Sequence, residues 1–192
     1  AYHIWLSIPL CLIYITAVLG NSILIVVIVM ERNLHVPMYF FLSMLAVMDI
    51  LLSTTTVPKA LAIFWLQAHN IAFDACVTQG FFVHMMFVGE SAILLAMAFD
   101  RFVAIRFPLH YATILTHSVI SKIAAAILLR SVGAVLPVPF LIKRLPFCHS
   151  NVLSHAYCLH QDAMRLACAD TGVNSIYGLL AVIFIIVLDA LI

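Results

Sequence analysis

Between Ile4 and Met30 there is not one charged side chain. The rest of the chain is nearly as poor: of 192 residues, 9 are Lys or Arg and 8 are Asp or Glu, a charged share of 9%. Soluble domains carry about 25%. With 66% hydrophobic residues and a mean hydropathy of +1.20, that scarcity excludes a water-soluble globular domain and places the chain in a bilayer. Other absences narrow the field. There is no internal repeat and no low-complexity segment, which argues against a transporter assembled from matching halves. No Asn-x-Ser/Thr triplet occurs, so this stretch offers no acceptor for an N-linked glycan. The first apolar run is too long for a signal-peptide core and lacks its flanks.

Five apolar runs are present, at about residues 4–30, 38–66, 76–107, 118–142 and 173–192. Each is long enough to cross about 30 Å of hydrocarbon as a helix, which predicts an all-α membrane protein. Three of the four connections are short. The stretch 143–171 is longer and holds Lys143, Arg144, Asp162, Arg165 and Asp170 with three histidines and three cysteines; a loop of that length is usually functional or stapled. Both termini lie on or beside a span, so the chain is expected to be part of a longer protein. Basic residues do not orient it. Arg32, Arg101, Arg106 and Lys122 fall near one face, Lys59, Lys143, Arg144 and Arg165 near the other, and Arg130 lies mid-span. Cysteines break the tie. Cys11 reads as an apolar filler inside the first span, but Cys76, Cys148, Cys158 and Cys168 share one face. Disulfides persist on the oxidising side, which puts that face and the N-terminus outside. Four cysteines allow three pairings, and spacing does not choose among them.

The densest motif is Met97-Ala98-Phe99-Asp100-Arg101-Phe102-Val103-Ala104-Ile105, followed by Pro108-Leu109-His110-Tyr111. An acid–base pair at the last turn of a spanning helix is costly and usually has a task, although Arg101 by itself is also compatible with simple snorkelling. The 25 steps from Cys76 to Arg101 cover about 38 Å, enough for a tilted crossing. Gly20-Asn21 lies in the first span, Asp49 in the second, and Pro37-Met38-Tyr39-Phe40-Phe41-Leu42 opens the second. Together these phrases resemble the olfactory receptors among the rhodopsin-like G-protein-coupled receptors. The stretch Leu145-Pro146-Phe147-Cys148, with Ser154 to Gln161 and Cys168, resembles class I, the fish-like receptors, nearest the fifty-two and fifty-one families.

The resemblance implies spans one to five of a seven-helix bundle, with spans six and seven absent from this sequence, in a multi-pass protein of the plasma membrane. It implies disulfides Cys76–Cys158 and Cys148–Cys168, which would lay the long loop over the outer end of the third span as a lid. It implies a cytoplasmic switch, Asp100 holding Arg101 until helix movement frees the guanidinium for a heterotrimeric G protein of the stimulatory type, with Phe102, Pro108 and Leu109 beside it. Asp49 and Glu90, with Asn21 and Ser91, would form a sodium-sensitive polar core; simple protonation of one or both acids is the alternative. An outer-half pocket would be lined by His84, Phe87 and Val88, by His160 and Gln161 of the loop, by Val135 and Val138, and by Tyr177, Gly178 and Val182. Its expected ligand is a small carboxylic acid. Each buried methylene contributes about 0.8 kcal/mol, so pocket length would set chain-length preference. No cofactor is required, and nucleic acid is not an expected partner.

Two other classes compete. A proton- or sodium-coupled transporter would use Asp49 and Glu90 as its relay. An intramembrane metalloenzyme is disfavoured because His84 and Glu90, six residues apart, sit about 240° around a helix. The loop histidines His149, His155 and His160 have no familiar zinc spacing.

Overall fold

The computed structural model describes residues 2–66, 73–144 and 172–191. These are almost entirely helical, with no strand among them. The helices are α1 (Tyr2–Met30), α2 (Pro37–Leu66), α3 (Phe73–Arg106), the short α4 (Tyr111–Ile114), α5 (His117–Val135), α6 (Pro137–Lys143) and α7 (Gly172–Leu191). Among the described residues, five stretches are long and apolar enough to cross a membrane: Ser7–Met30, Pro37–Ala62, Asp74–Arg106, His117–Lys143 and Gly172–Ala190.

The helix ends follow local chemistry. After α1, Glu31 is extended and its carboxylate accepts hydrogen bonds from the Asn33 side-chain amide at 2.8 Å and backbone N–H at 3.5 Å. A single 3-10 turn then leads to Pro37, whose fixed φ and missing N–H suit the first position of a helix. Asp74 in the first turn of α3 and Arg106 in its last complement the helix dipole. Pro108 disfavours helix at the preceding residue, so Phe107 leaves the helical region at φ −131°, ψ 58°. Thr116 caps α5, its hydroxyl accepting from the Val119 N–H at 3.4 Å.

One boundary departs from the sequence reading. The fourth run, taken as a single helix over 118–142, is two helices meeting at Leu136–Pro137. Pro137 has no N–H to give and its ring crowds the carbonyl four residues earlier, so the ladder stops and restarts. Pro9 and Pro58 lie inside α1 and α2, both of which run on through them.

The central rod is α3. It packs on α2 and on α5, while α1 packs on α2. Phe41 and Met48 of α2, Met86, Ala92, Ile93 and Ala96 of α3, and Ile120 and Ile127 of α5 form the main core. Three helices meet around Gly89: a Cβ placed there would be in ordinary contact with Ser131 Oγ at 3.4 Å and Met48 Cε at 3.5 Å. Gly89, Ala92 and Ala96 thus give α3 the small-residue face that membrane helices use to approach one another. The outward faces of α1 and α7 are apolar, with Ile23 63% and Phe184 66% exposed, as a hydrocarbon surround requires.

Candidate functional site

At one end of α3, Cys76 is buried and disulfide-bonded. Its expected partner Cys158 lies outside the described residues, as do Cys148, Cys168, His160 and Gln161. Val77, Ile142 and Val138 form a second small core beside it, and Val135 is also buried. The two valines assigned to a pocket wall therefore pack α5 and α6 into the bundle. Gln79 Nε2 donates to the Thr55 carbonyl at 3.0 Å, tying α3 to α2. Lys143 reaches from α6 to Asp74 at 2.9 Å; such an exposed pair contributes about 0–1 kcal/mol. An open cleft of about 630 Å³ at this end is lined by Thr55, Lys59, Asp74, Ala75, Thr78, Gln79 and Phe82. None of these was assigned to the pocket from sequence.

His84, one turn deeper, places Nδ1 2.7 Å from the Gly80 carbonyl of its own helix. A carbonyl only accepts, so Nδ1 carries the proton and Nε2 of a neutral ring is left as an acceptor. Donation from His84 to a carboxylate therefore takes a second proton. Phe87 and Val182 are exposed, and Val88 and Gly178 half-buried.

A seam of polar bonds, not legible beforehand, joins α7 to the fourth span. Asn174 Nδ2 donates to the Leu141 carbonyl at 3.2 Å, Tyr177 Oη to the Ala134 carbonyl at 2.8 Å, and Arg130 Nη2 to Asp189 Oδ1 at 2.5 Å. The partners run in opposite chain directions, giving one antiparallel register. Tyr177 is thereby hooked onto α5. Arg130 and Asp189 are each isolated charges in apolar runs, and their side chains are only 19% and 23% exposed. What could have linked them is the rule that intramembrane charges pair.

At mid-depth the Asp49 and Glu90 carboxyls of α2 and α3 face each other closely enough to hydrogen-bond when one is protonated. Glu90 Oε1 is buried without a partner. Asn21 donates instead to the Ala17 carbonyl at 2.9 Å, and Ser91 to the Val88 carbonyl at 3.1 Å, leaving the amide oxygen and the hydroxyl lone pairs free to accept. Among the described residues no cluster of three or more His, Cys, Asp or Glu side chains is present.

At the other end, Asp100 is 1% exposed. Its partner is the Tyr111 hydroxyl, which donates to Oδ1 at 2.7 Å, and among the described residues it makes no ion pair with Arg101. Arg101 is exposed. The clasp anticipated between the two is thus made by a residue eleven positions on, brought back by the turn at Pro108–His110. Burial, then the bond to Asp100, pushes the Tyr111 phenol up to about 12, against an opposing pull from Arg101. Phe102 is exposed and stacks edge-on with Phe107 at 6.5 Å between centroids. Leu109, beside Pro108, is 93% exposed.

Comparison with known proteins bears on the whole arrangement. A sequence profile described as olfactory receptor matches residues 10–192. The chain is 76% identical over 191 residues to human olfactory receptor 52B2, covering all of the chain and 59% of that protein. It is 58% identical over 187 residues to human olfactory receptor 51H1, covering 97% and 62%. To human olfactory receptor 51E1 it is 53% identical over 187 residues, covering 97% and 59%. The chain spans about three fifths of the length of these curated relatives. The relatives give the transporter alternative no support.

Proposed function

The chain belongs to the olfactory receptor family, and on that footing we propose that it supplies the first five spans of an odorant-activated G-protein-coupled receptor of the plasma membrane. The Cys76 end faces outside with the N-terminus, and the Asp100–Arg101 end faces the cytoplasm. The observation that carries this reading is α3 itself, an unbroken helix with a bonded Cys76 near one end and an exposed Arg101 near the other. A rod of 34 residues extends about 50 Å, so displacement by a ligand at one end moves the other.

The cytoplasmic chemistry follows from the Tyr111–Asp100 bond. Because the tyrosine satisfies the buried carboxylate, the guanidinium of Arg101 stays uncommitted, and its five donors in a fixed fork suit backbone carbonyls of a docked G protein. Exposed Phe102 and Leu109 supply apolar contact, with Pro108 fixing the turn between them. The G protein is of the stimulatory type and the odorant a small carboxylic acid held in the outer half. His84, Phe87, Val88, Gly178 and Val182 are the candidate contacts there, joined by His160 and Gln161 once Cys158 is tethered to Cys76; Cys148–Cys168 closes the loop on itself. Asp49 and Glu90 would hold a sodium ion with the oxygens of Asn21 and Ser91, the orphaned Glu90 oxygen being its anchor; the ion would supply the charge that two facing carboxylates need.

Cyclic AMP measured in cells expressing the full-length receptor tests this. An acid-dependent rise that disappears in Arg101→Ala at equal surface level is the expected result. Ligand-dependent ion flux without cyclic AMP would overturn it.

A further inference from the structure

We propose that the cavity between the cytoplasmic ends of α1, α2 and α5 holds an anionic phospholipid of the inner leaflet, with its phosphate at the rim and one acyl chain along the apolar lining. The inference goes beyond the odorant reading and takes from it only which leaflet is meant.

The cavity has a volume of about 930 Å³, toward the upper end of the roughly 300–1,000 Å³ usual for small-ligand sites. Its walls come from the last turn of α1, the connection into α2, α4 and the start of α5. Ile28, Leu115 and Ile120, all buried, line it, with Phe40 on the α2 side. Phe40 is exposed, and so are Val47 and Leu51, seven and eleven residues further on. That spacing keeps the three on one face of α2, so the apolar wall runs on from the cavity toward the middle of the membrane. A water-soluble ligand has no use for such a track, whereas an acyl chain does.

The headgroup follows from the rim. His35, Thr116, His117 and Ser121 give the cavity an exposed polar edge, and no acid is among its lining residues. Of the carboxylates at this end, Glu31 accepts from Asn33 and buried Asp100 from Tyr111. Exposed Arg32 and Lys122 flank the rim in sequence. Pro37 and His117 both line the cavity and begin α2 and α5, so two long helices bring the positive ends of their dipoles to it. Imidazoles, positive helix ends and nearby cations together match a phosphate diester; a sterol's single hydroxyl would leave most of them unanswered. Basic pockets between spans on the cytoplasmic side take acidic lipid headgroups by this chemistry, and the inner leaflet supplies them. Tyr111 lines the cavity while its hydroxyl is bonded to Asp100, so the lipid packs against the clasp and braces it.

The test uses the full-length receptor purified into nanodiscs of phosphatidylcholine with a minor share of phosphatidylserine, the probe lipid carrying a photoreactive diazirine on its acyl chain. After illumination, labelled peptides are quantified by mass spectrometry. Peptides containing Phe40 and Ile120 should carry several-fold more label than those from the outward face of α1 around Ile23, and more from the serine probe than from a choline probe of the same chain. Ser121→Glu, an exposed change on the rim, should cut the serine label on the cavity peptides roughly tenfold, the scale of one like-charge contact near a protein surface, and leave the α1 label unchanged. Ser121→Lys should keep or raise it. Ala112→Trp, which fills the cavity from the α4 side, should lower the label from both probes. Should Ser121→Glu not be recovered folded, Lys122→Glu carries the same sign. Label spread evenly over the outer faces, equal label from the two headgroups, an unchanged level in the Glu variant, or stronger labelling of the same peptides by a sterol diazirine overturns the proposal. Crosslinking needs neither odorant nor G protein, so its failure leaves the receptor reading standing, and a failed cyclic AMP response leaves this site standing.

Discussion

Replacing Tyr111 with Phe deletes one oxygen and tests the cytoplasmic clasp directly. Asp100 is 1% exposed and its described partner is the Tyr111 hydroxyl at 2.7 Å. A hydrogen bond to a charged group contributes about 1.5–3 kcal/mol, and a buried acceptor deprived of its donor loses the full desolvation penalty. At about 2 kcal/mol, and with an unfolding entropy of about 2.1 cal/mol/K per residue over a receptor longer than this chain, Tyr111→Phe should lower the thermal midpoint of purified receptor by about 3 °C. Tyr39→Phe, half-buried at the same end with no described bond to its hydroxyl, is the control and should change it little. The pH dependence has a definite sign. Burial and then Asp100 raise the folded phenol to about 12, whereas an unfolded phenol ionises near about 10. Above pH 10 the unfolded chain loses a proton that the folded chain keeps, so stability falls as pH rises toward 12. Tyr111→Phe lacks that component, and its alkaline decline is shallower. Equal midpoints for the two Tyr→Phe variants would refute the reasoning.

Two further outcomes follow from the membrane interior. Arg130→Ala or Asp189→Ala strands a charge, a loss of about 3–5 kcal/mol for a buried pair, so each single variant should reach the cell surface several-fold less than wild type. The double variant should do no worse than the poorer single one, and additive losses by flow cytometry would contradict the pairing. For the acids at mid-depth, Asp49→Asn and Glu90→Gln should each abolish the dependence of the agonist response on external sodium; dose–response curves that keep it would remove the cation from the site.

The spans were legible because apolar runs in a bilayer need only be counted, and the helices begin and end within a few residues of the runs. Pro137 was visible too, yet a proline's effect depends on whether its helix can run on, as α1 does through Pro9, or must restart, as the fourth span does. Long-range partners were illegible. Arg130 and Asp189 stand 59 positions apart, and nothing in one dimension says which faces of two helices meet. Tyr111 was missed as the partner of Asp100 because eleven residues and a 3-10 turn separate them, outside any helical spacing. The valines at 135 and 138 were placed by face alone, and face does not distinguish a pocket wall from a packed seam.

Labelling from the two sides of the membrane tests the central claim, that α3 carries Cys76 and Arg101 to opposite faces. Exposed Ala75 and Leu109 are changed singly to Cys in the full-length receptor and treated on intact cells with a membrane-impermeant maleimide, the unsubstituted receptor giving the background. Ala75→Cys should label before permeabilisation and Leu109→Cys only after it. Labelling of both in intact cells would contradict the account.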